Sequence, residues 1–107
     1  MGYIVQFTPE AARQVRALRA TERARILGAC ERILTVHPIR TGRSRIKRLR
    51  DDVFPPWRLR IADSRVFYDV DEAAERVTVY GVVGKAEALV WLSEQQKEER
   101  DEAGDAE

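Results

Sequence analysis

In the stretch PPWRLRIADSRVFYDVD, residues 55 to 71, apolar side chains recur at every second position, Trp57, Leu59 and Ile61 and then Val66, Tyr68 and Val70. A period of two is the mark of a half-buried strand, and the break between Ile61 and Val66 makes this stretch two strands joined by a tight turn. Placing the two-residue turn at Asp63 and Ser64 sets Ala62 against Arg65, Ile61 against Val66, Arg60 against Phe67 and Arg58 against Asp69. Leu59, Ile61, Val66, Tyr68 and Val70 then share one face, and Arg58, Arg60, Arg65, Phe67 and Asp69 share the other. A slip of one residue would bury the arginines and expose the aliphatic set, so the division into faces is strongly enforced. The three arginines therefore converge, on the face expected to lie away from the helices. Like charges on adjacent strands repel, and Asp69 offsets only part of that repulsion, so an anionic ligand is the expected complement.

The rest of the chain supplies the layers around this hairpin. GYIVQF (2–7) alternates as a first strand, and Thr8 followed by Pro9 is a helix start. The next helix places Ala11, Val15 and Leu18 on one face and Arg13, Arg16 and Arg19 toward solvent. Thr21 reads as the cap of a second helix, whose stripe Ile26, Leu27, Cys30, Ile33 and Leu34 runs until Pro38 stops it. Residues 39 to 55 are rich in charge and follow neither period, so they read as a loop with at most a short strand at 46–49. ERVTVYGVV (75–83) is apolar on both faces, as suits a central strand. A final helix follows Gly84, with Leu89 and Leu92 on its packed side. The order is βαα, three antiparallel strands, then α: an α+β fold with an N-terminal strand and helical hairpin on a small, mainly antiparallel sheet. Residues 1–97 form the expected single domain, and 98–107 an acidic tail expected to fray.

Composition narrows the function classes. The sequence has no apolar run long enough for a bilayer and no secretory leader at its start, which points to a cytoplasmic protein without a membrane partner. Cys30 is the single cysteine, so no internal disulfide can form, and a metal would have only His37 and carboxylates to bind it. No metal or other cofactor is expected. The net charge of +1 conceals a division: residues 1–65 carry 15 Lys+Arg against 6 Asp+Glu, or +9, and residues 66–107 carry 4 against 12, or −8. Nine of the basic residues fall between Arg40 and Arg65, and eight of them are arginine, whose planar fork suits phosphate or carboxylate. Within that segment Lys47, Arg48 and Arg50 stand beside the arginine face. Tyr80 is expected on that face as well, with Phe67.

The order βααβββ, the opening YIVQFTPEAARQVRAL, KRLRDD before the hairpin, WRLRIADSRVFYDVDE and the closing VTVYGVVGK together resemble the RelE/ParE superfamily of type II toxins over about residues 3 to 92. For the RelE branch the resemblance implies a metal-independent endoribonuclease that enters the ribosome and cuts mRNA, held inactive by a cognate antitoxin. The chemistry so implied is attack of a ribose 2′-OH on the adjacent phosphate, leaving a 2′,3′-cyclic phosphate. It needs a proton acceptor, a proton donor and cations around the phosphorane. The resemblance assigns the catalytic cations to Arg58, Arg60 and Arg65, with Lys85 helping at the end of the last strand, and with RNA as the substrate it makes Lys47, Arg48 and Arg50 candidate RNA contacts and Phe67 and Tyr80 candidates for base stacking. Active ribonucleases of the family carry an arginine and then a tyrosine or histidine after that strand. Here those places fall on Ala86 and Leu92, neither of which transfers a proton. The ParE branch inhibits DNA gyrase without nuclease residues, and a third possibility is a weak member that acts mainly as an antitoxin-binding component of a repressor complex.

Three single residues have plainer readings. His37, at a helix end before Pro38, suits capping of the last carbonyls more than catalysis. Cys30 within the apolar stripe reads as a small core residue. Trp57 is expected to point inward with Leu59, and Trp91 to be exposed until a partner covers it.

Overall fold

A computed structural model of the chain describes residues 2–42 and 45–105, with side chains as far as residue 98. Strand β1 (Ile4–Phe7) leads into α1 (Pro9–Arg16), where the Thr8 hydroxyl accepts from the Ala11 amide 3.1 Å away and Pro9 occupies the first helical turn. Helix α2 (Ala20–Ala29) follows after a three-residue turn and widens into a π-turn over Cys30–Leu34. Thr21 does not cap it. Arg19 takes the N-cap position without a side-chain bond, and the turn is closed instead by Arg23, whose guanidinium donates to the carbonyls of Val15, Arg16 and Leu18. An arginine four residues into α2 thus ties down carbonyls at and just past the end of α1, while the amides at the start of α2 have no side-chain cap where Thr21 was expected to supply one.

The sheet has the order β1-β5-β4-β3-β2 among the described residues, from β2 (Ile46–Arg48), β3 (Trp57–Ile61), β4 (Ser64–Asp71) and β5 (Arg76–Gly84). Strand β1 runs parallel to β5 and every other pair is antiparallel. The short strand expected near Ile46 is present, pairing Lys47 with Arg58 at the sheet's far edge. Helices α1 and α2 cover one face. There Ala11, Val15, Ile26, Ala29, Cys30 and Leu34 pack against Leu59, Val66, Tyr68, Val77, Val79 and Val82. Leu27, expected in the same stripe, is exposed. The Tyr68 hydroxyl crosses this layer to donate to the Pro38 carbonyl at 2.6 Å, tying the end of the helical hairpin to the sheet. His37 is exposed, and its amide, not its ring, meets the helix end by donating to the Ile33 carbonyl.

The second face is not free of helices. After a 3-10 turn (Lys85–Glu87), helix α3 (Ala88–Asp105) lays Trp91 across β4 and β5, its ring stacked on Phe67 with centroids 5.1 Å apart. A Cβ on Gly81 would fall 2.2 Å from the Trp91 indole, so the absence of a side chain there makes room for the helix. The indole Nε1 donates to Glu10 at 3.2 Å, and Gln96 exchanges bonds with the backbone of Phe54. Trp91 is therefore 6% exposed in the isolated chain rather than waiting for a partner, while Leu89, predicted to pack, is 81% exposed. Helix α3 continues to Asp105 through most of the acidic tail, and Ala106 and Glu107 lie outside the described residues.

Candidate phosphate-binding face

Register decides which basic side chains meet. The hairpin turns at Ala62 and Asp63, not Asp63 and Ser64, with Ala62 at φ 52° in the left-handed region. Arg60 consequently stands opposite Arg65, Arg58 opposite Phe67, Leu59 opposite Val66 and Trp57 opposite Tyr68. Relative to the register expected from turn preference, each partner moves by two residues. Side chains alternate with period two, so a two-residue shift leaves both faces intact. Burial fixed the parity, and the choice between the two registers of equal parity fell to the pairing of Trp57 with Tyr68, rings stacked at 6.5 Å, over turn propensity.

The arginine face is thus two rows across β2, β3 and β4. One holds Lys47 and Arg58, ending on Phe67; the other holds Arg60 and Arg65. The Arg60 amide donates to the Arg45 carbonyl at 2.8 Å, which brings Arg45 beside the second row. Arg45, Arg60, Arg65 and Lys85 line one groove of about 510 Å³ at the hairpin end. Arg65 is held in place by its own turn, Nη1 donating to the carbonyls of Ala62 (3.1 Å) and Ser64 (3.0 Å). The Lys85 amide donates to the Asp63 carbonyl at 2.7 Å, which fixes the end of β5 against the same turn.

Charge on this face is uncompensated. Among the described residues the sole ion pair within 4.0 Å joins Arg50 to Asp52, both well exposed, and none involves the arginines of the face. Asp69 lies beyond the end of β3, where it accepts from the Val70 amide rather than from Arg58. Arg58 feels this most: partial burial, followed by the charges of Arg65 and Arg60, lowers its pKa from the ordinary arginine value. Its Nε is buried and has no hydrogen-bond partner among the described residues. A buried donor without a partner, near two like charges, is a site that gains from an oxyanion.

Four candidates do not join the face. Arg48 points to the opposite side of β2 and lies over the Trp57 ring, 5.1 Å from its centroid. Arg50 sits in the loop with Asp52. Phe67 is 2% exposed under Trp91, so it cannot stack on a base. Tyr80 occupies the extra position of the bulge in β5, where Gly81 meets Phe67 and Val79 meets Tyr68, and its ring packs edge-on against Phe54 at 4.9 Å. The bulge re-aims Tyr80 toward a separate hollow lined by Thr8, Glu10 and Phe54. Arg45 is a cation of the groove beyond those expected. Its spacing of two from Lys47 was the available signal. Ala86 is exposed and Leu92 half-buried, and the described residues lining the groove include no histidine or tyrosine. Among the described residues no grouping of His, Cys, Asp and Glu could hold a metal ion.

No family model matches the sequence, and no curated protein matches it. Solved structures do. A chain of the toxin–antitoxin complex RelBE2 from Mycobacterium tuberculosis superposes with a TM-score of 0.67 at 25% identity, over 80% of this chain and 94% of that one. A chain of the archaeal RelE–RelB complex from Pyrococcus horikoshii gives 0.58 at 18% identity, over 79% and 97%. The isolated RelE toxin of E. coli gives 0.58 at 19%, over 77% and 83%. No helix among the described residues is long and apolar enough to cross a membrane.

Proposed function

We propose that this chain, whose fold is that of the RelE toxins, is the toxin of a type II toxin–antitoxin pair and acts in the cytoplasm by cutting mRNA at the ribosome. The observation that carries this reading is the set of Arg58, Arg60 and Arg65 on one sheet face with no carboxylate among them. A scissile phosphate seated between Arg60 and Arg65 gains charge as the 2′-OH attacks, and preorganised guanidinium forks oppose that charge at no reorganisation cost. Arg58, in the row behind, adds a third cation to the phosphorane. Arginine does not deprotonate in proteins, so none of the three is a general base. Lys85 donates the proton to the leaving 5′ oxygen, and the proton of the attacking 2′-OH passes to solvent water. The cognate antitoxin is expected to present an acidic segment to the same face and so exclude RNA by occupancy.

A second reading draws on Ala86 and Leu92, which hold the family's proton-transfer places without a titratable group. A ParE-like toxin that binds DNA gyrase and cuts nothing requires no such group. Inducing the chain without its partner separates the two. New mRNA 5′ ends within codons, lost in Arg60→Ala and Arg65→Ala together with growth arrest, support the ribonuclease. Arrest with intact mRNA and impaired supercoiling supports the gyrase reading, and full toxicity of both variants would show that the arginine face is not the active one.

A further inference from the structure

The groove at the hairpin end has a second wall. Besides the strand cations it is lined by Arg25, Ala29 and Arg32 of the α2 region. These fall at i, i+4 and i+7, one stripe of a helix, with a small residue between two arginines. Ala29 is buried, so the stripe contributes an open floor there and a guanidinium at each end. Gly28 adds to this geometry: a Cβ on it would lie 3.2 Å from Arg32 Nη1, so the Arg32 fork folds back along the helix over the glycine. Neither Arg25 nor Arg32 pairs with a carboxylate among the described residues. Six cations, Arg25, Arg32, Arg45, Arg60, Arg65 and Lys85, therefore line a space that Asp63 alone opposes. Its 510 Å³ is many times the roughly 30 Å³ share of one water, far more than a single phosphate group fills. Arg32 and Arg45 are also shared with an adjoining hollow of about 400 Å³ that has Ile33 and Ile46 in its wall beside His37 and Arg40. The two hollows thus meet at Arg32 and Arg45.

We infer that Arg25 and Arg32 are binding residues for the phosphates flanking the scissile one, so that the groove between α2 and the β3–β4 hairpin holds consecutive phosphates of one RNA strand. This deepens the ribonuclease reading and rests on it. Two walls of guanidinium groups match a backbone with a negative charge on every nucleotide, whereas the hairpin row by itself matches one phosphate. The strand leaves over the Arg32–Arg45 saddle, where the adjoining hollow has apolar side chains for a ribose or base.

The test uses fluorescence anisotropy with 2′-O-methyl RNA, which cannot be cut, as a dinucleotide, whose one phosphate stands for the scissile one, and as an octanucleotide. The proteins are the wild type, Arg25→Gln/Arg32→Gln and Arg60→Gln/Arg65→Gln. The wild type is expected to bind the octanucleotide more tightly and with a steeper salt dependence than the dinucleotide. Arg25→Gln/Arg32→Gln should bind the octanucleotide about tenfold more weakly, with a log–log salt slope smaller by about 1.4, at roughly 0.7 per lost phosphate contact. Its dinucleotide binding should match the wild type, which also reports that the variant is folded. Equal octanucleotide slopes in the wild type and this variant would overturn the inference while leaving the active face intact. An equal loss for both lengths would overturn it too, since Arg25 and Arg32 would then be acting on the scissile phosphate or on the fold. If wild type and Arg60→Gln/Arg65→Gln bind both RNAs alike, the ribonuclease reading fails and the inference falls with it.

Discussion

At the scale of single residues, this chain accepts a cost in order to hold its arginines together. Arg60 faces Arg65 directly across β3 and β4, and like charges so placed destabilise a sheet by roughly 0.2–1 kcal/mol. Arg60→Gln keeps a polar side chain, of shorter reach, and removes the repulsion, so its urea midpoint should equal or exceed that of the wild type while RNA affinity falls. A lower midpoint would mean that Arg60 serves the fold rather than a ligand. Cys30 and Tyr68 set a second expectation. Burial pushes the Cys30 thiol up from 9.0 to about 12, and it raises the Tyr68 hydroxyl as well, with Cys30 adding to that rise. The folded state holds a proton that the unfolded chain releases above pH 9, so the contribution is complete below pH 9 and is lost as pH rises toward 12. Urea unfolding followed between these limits should show stability falling by up to about 1.4 kcal/mol per pH unit for each such group. Cys30→Val should flatten the first part of that decline. Cys30 was legible as core from helical spacing, and Tyr68, like the arginine face, from strand alternation. Phe67 was misread as a stacking residue because alternation tells which face a side chain is on, and not what covers that face.

At the scale of elements, the hairpin shows what pattern can and cannot decide. Alternation fixed the two faces correctly although the turn sits one residue earlier than its residue types suggest, with Ala62 held in a left-handed conformation that alanine does not favour. Placing helix α3 depended on long-range packing that no local period encodes: Gly81 and Trp91 lie ten positions apart and meet only because β5 bulges and the chain doubles back. Gly81→Ala is the direct test. Its Cβ cannot coexist with an indole 2.2–2.7 Å away, so α3 must lift from the sheet. The variant should lose about 2–4 kcal/mol of stability, as for a large core truncation or overpacking, and Trp91 emission should shift to the red with added quenching by iodide. Emission and stability like those of the wild type would show that Trp91 does not seat on Gly81. Tyr68→Phe tests the opposite layer. It leaves the Pro38 carbonyl without its 2.6 Å donor, a loss of about 1–3 kcal/mol visible in the urea midpoint.

At the scale of the whole molecule, the charge division that was plain in the sequence becomes an arrangement in space. The positive half gathers on the β2–β3–β4 end of the sheet and on α2, and the negative half includes the acidic continuation of α3. Residues 99–107 carry five carboxylates and Arg100, a net −4, so removing them takes the formal charge from +1 to +5. A chain ending at Glu98 keeps Trp91, Gln95 and Gln96, the part of α3 that touches the sheet and the Phe54 loop, and so should stay folded. Steering of a polyanion depends on the field of the whole protein and is screened over about 10 Å at 0.1 M salt, whereas the contacts made after encounter depend on the groove. The truncated chain should therefore associate with the octanucleotide several-fold faster at low salt, with little change in the dissociation rate, and the difference should vanish near 0.5 M salt. Stopped-flow fluorescence resolves the two rates. Observed association rates that level off with rising octanucleotide concentration in the full chain, and not in the truncated one, would instead mean that the tail occupies the groove itself and must leave before RNA enters. In that case a tethered acidic segment already does part of what an antitoxin segment is expected to do, by occupying the cations that Arg60, Arg65 and their neighbours hold in place.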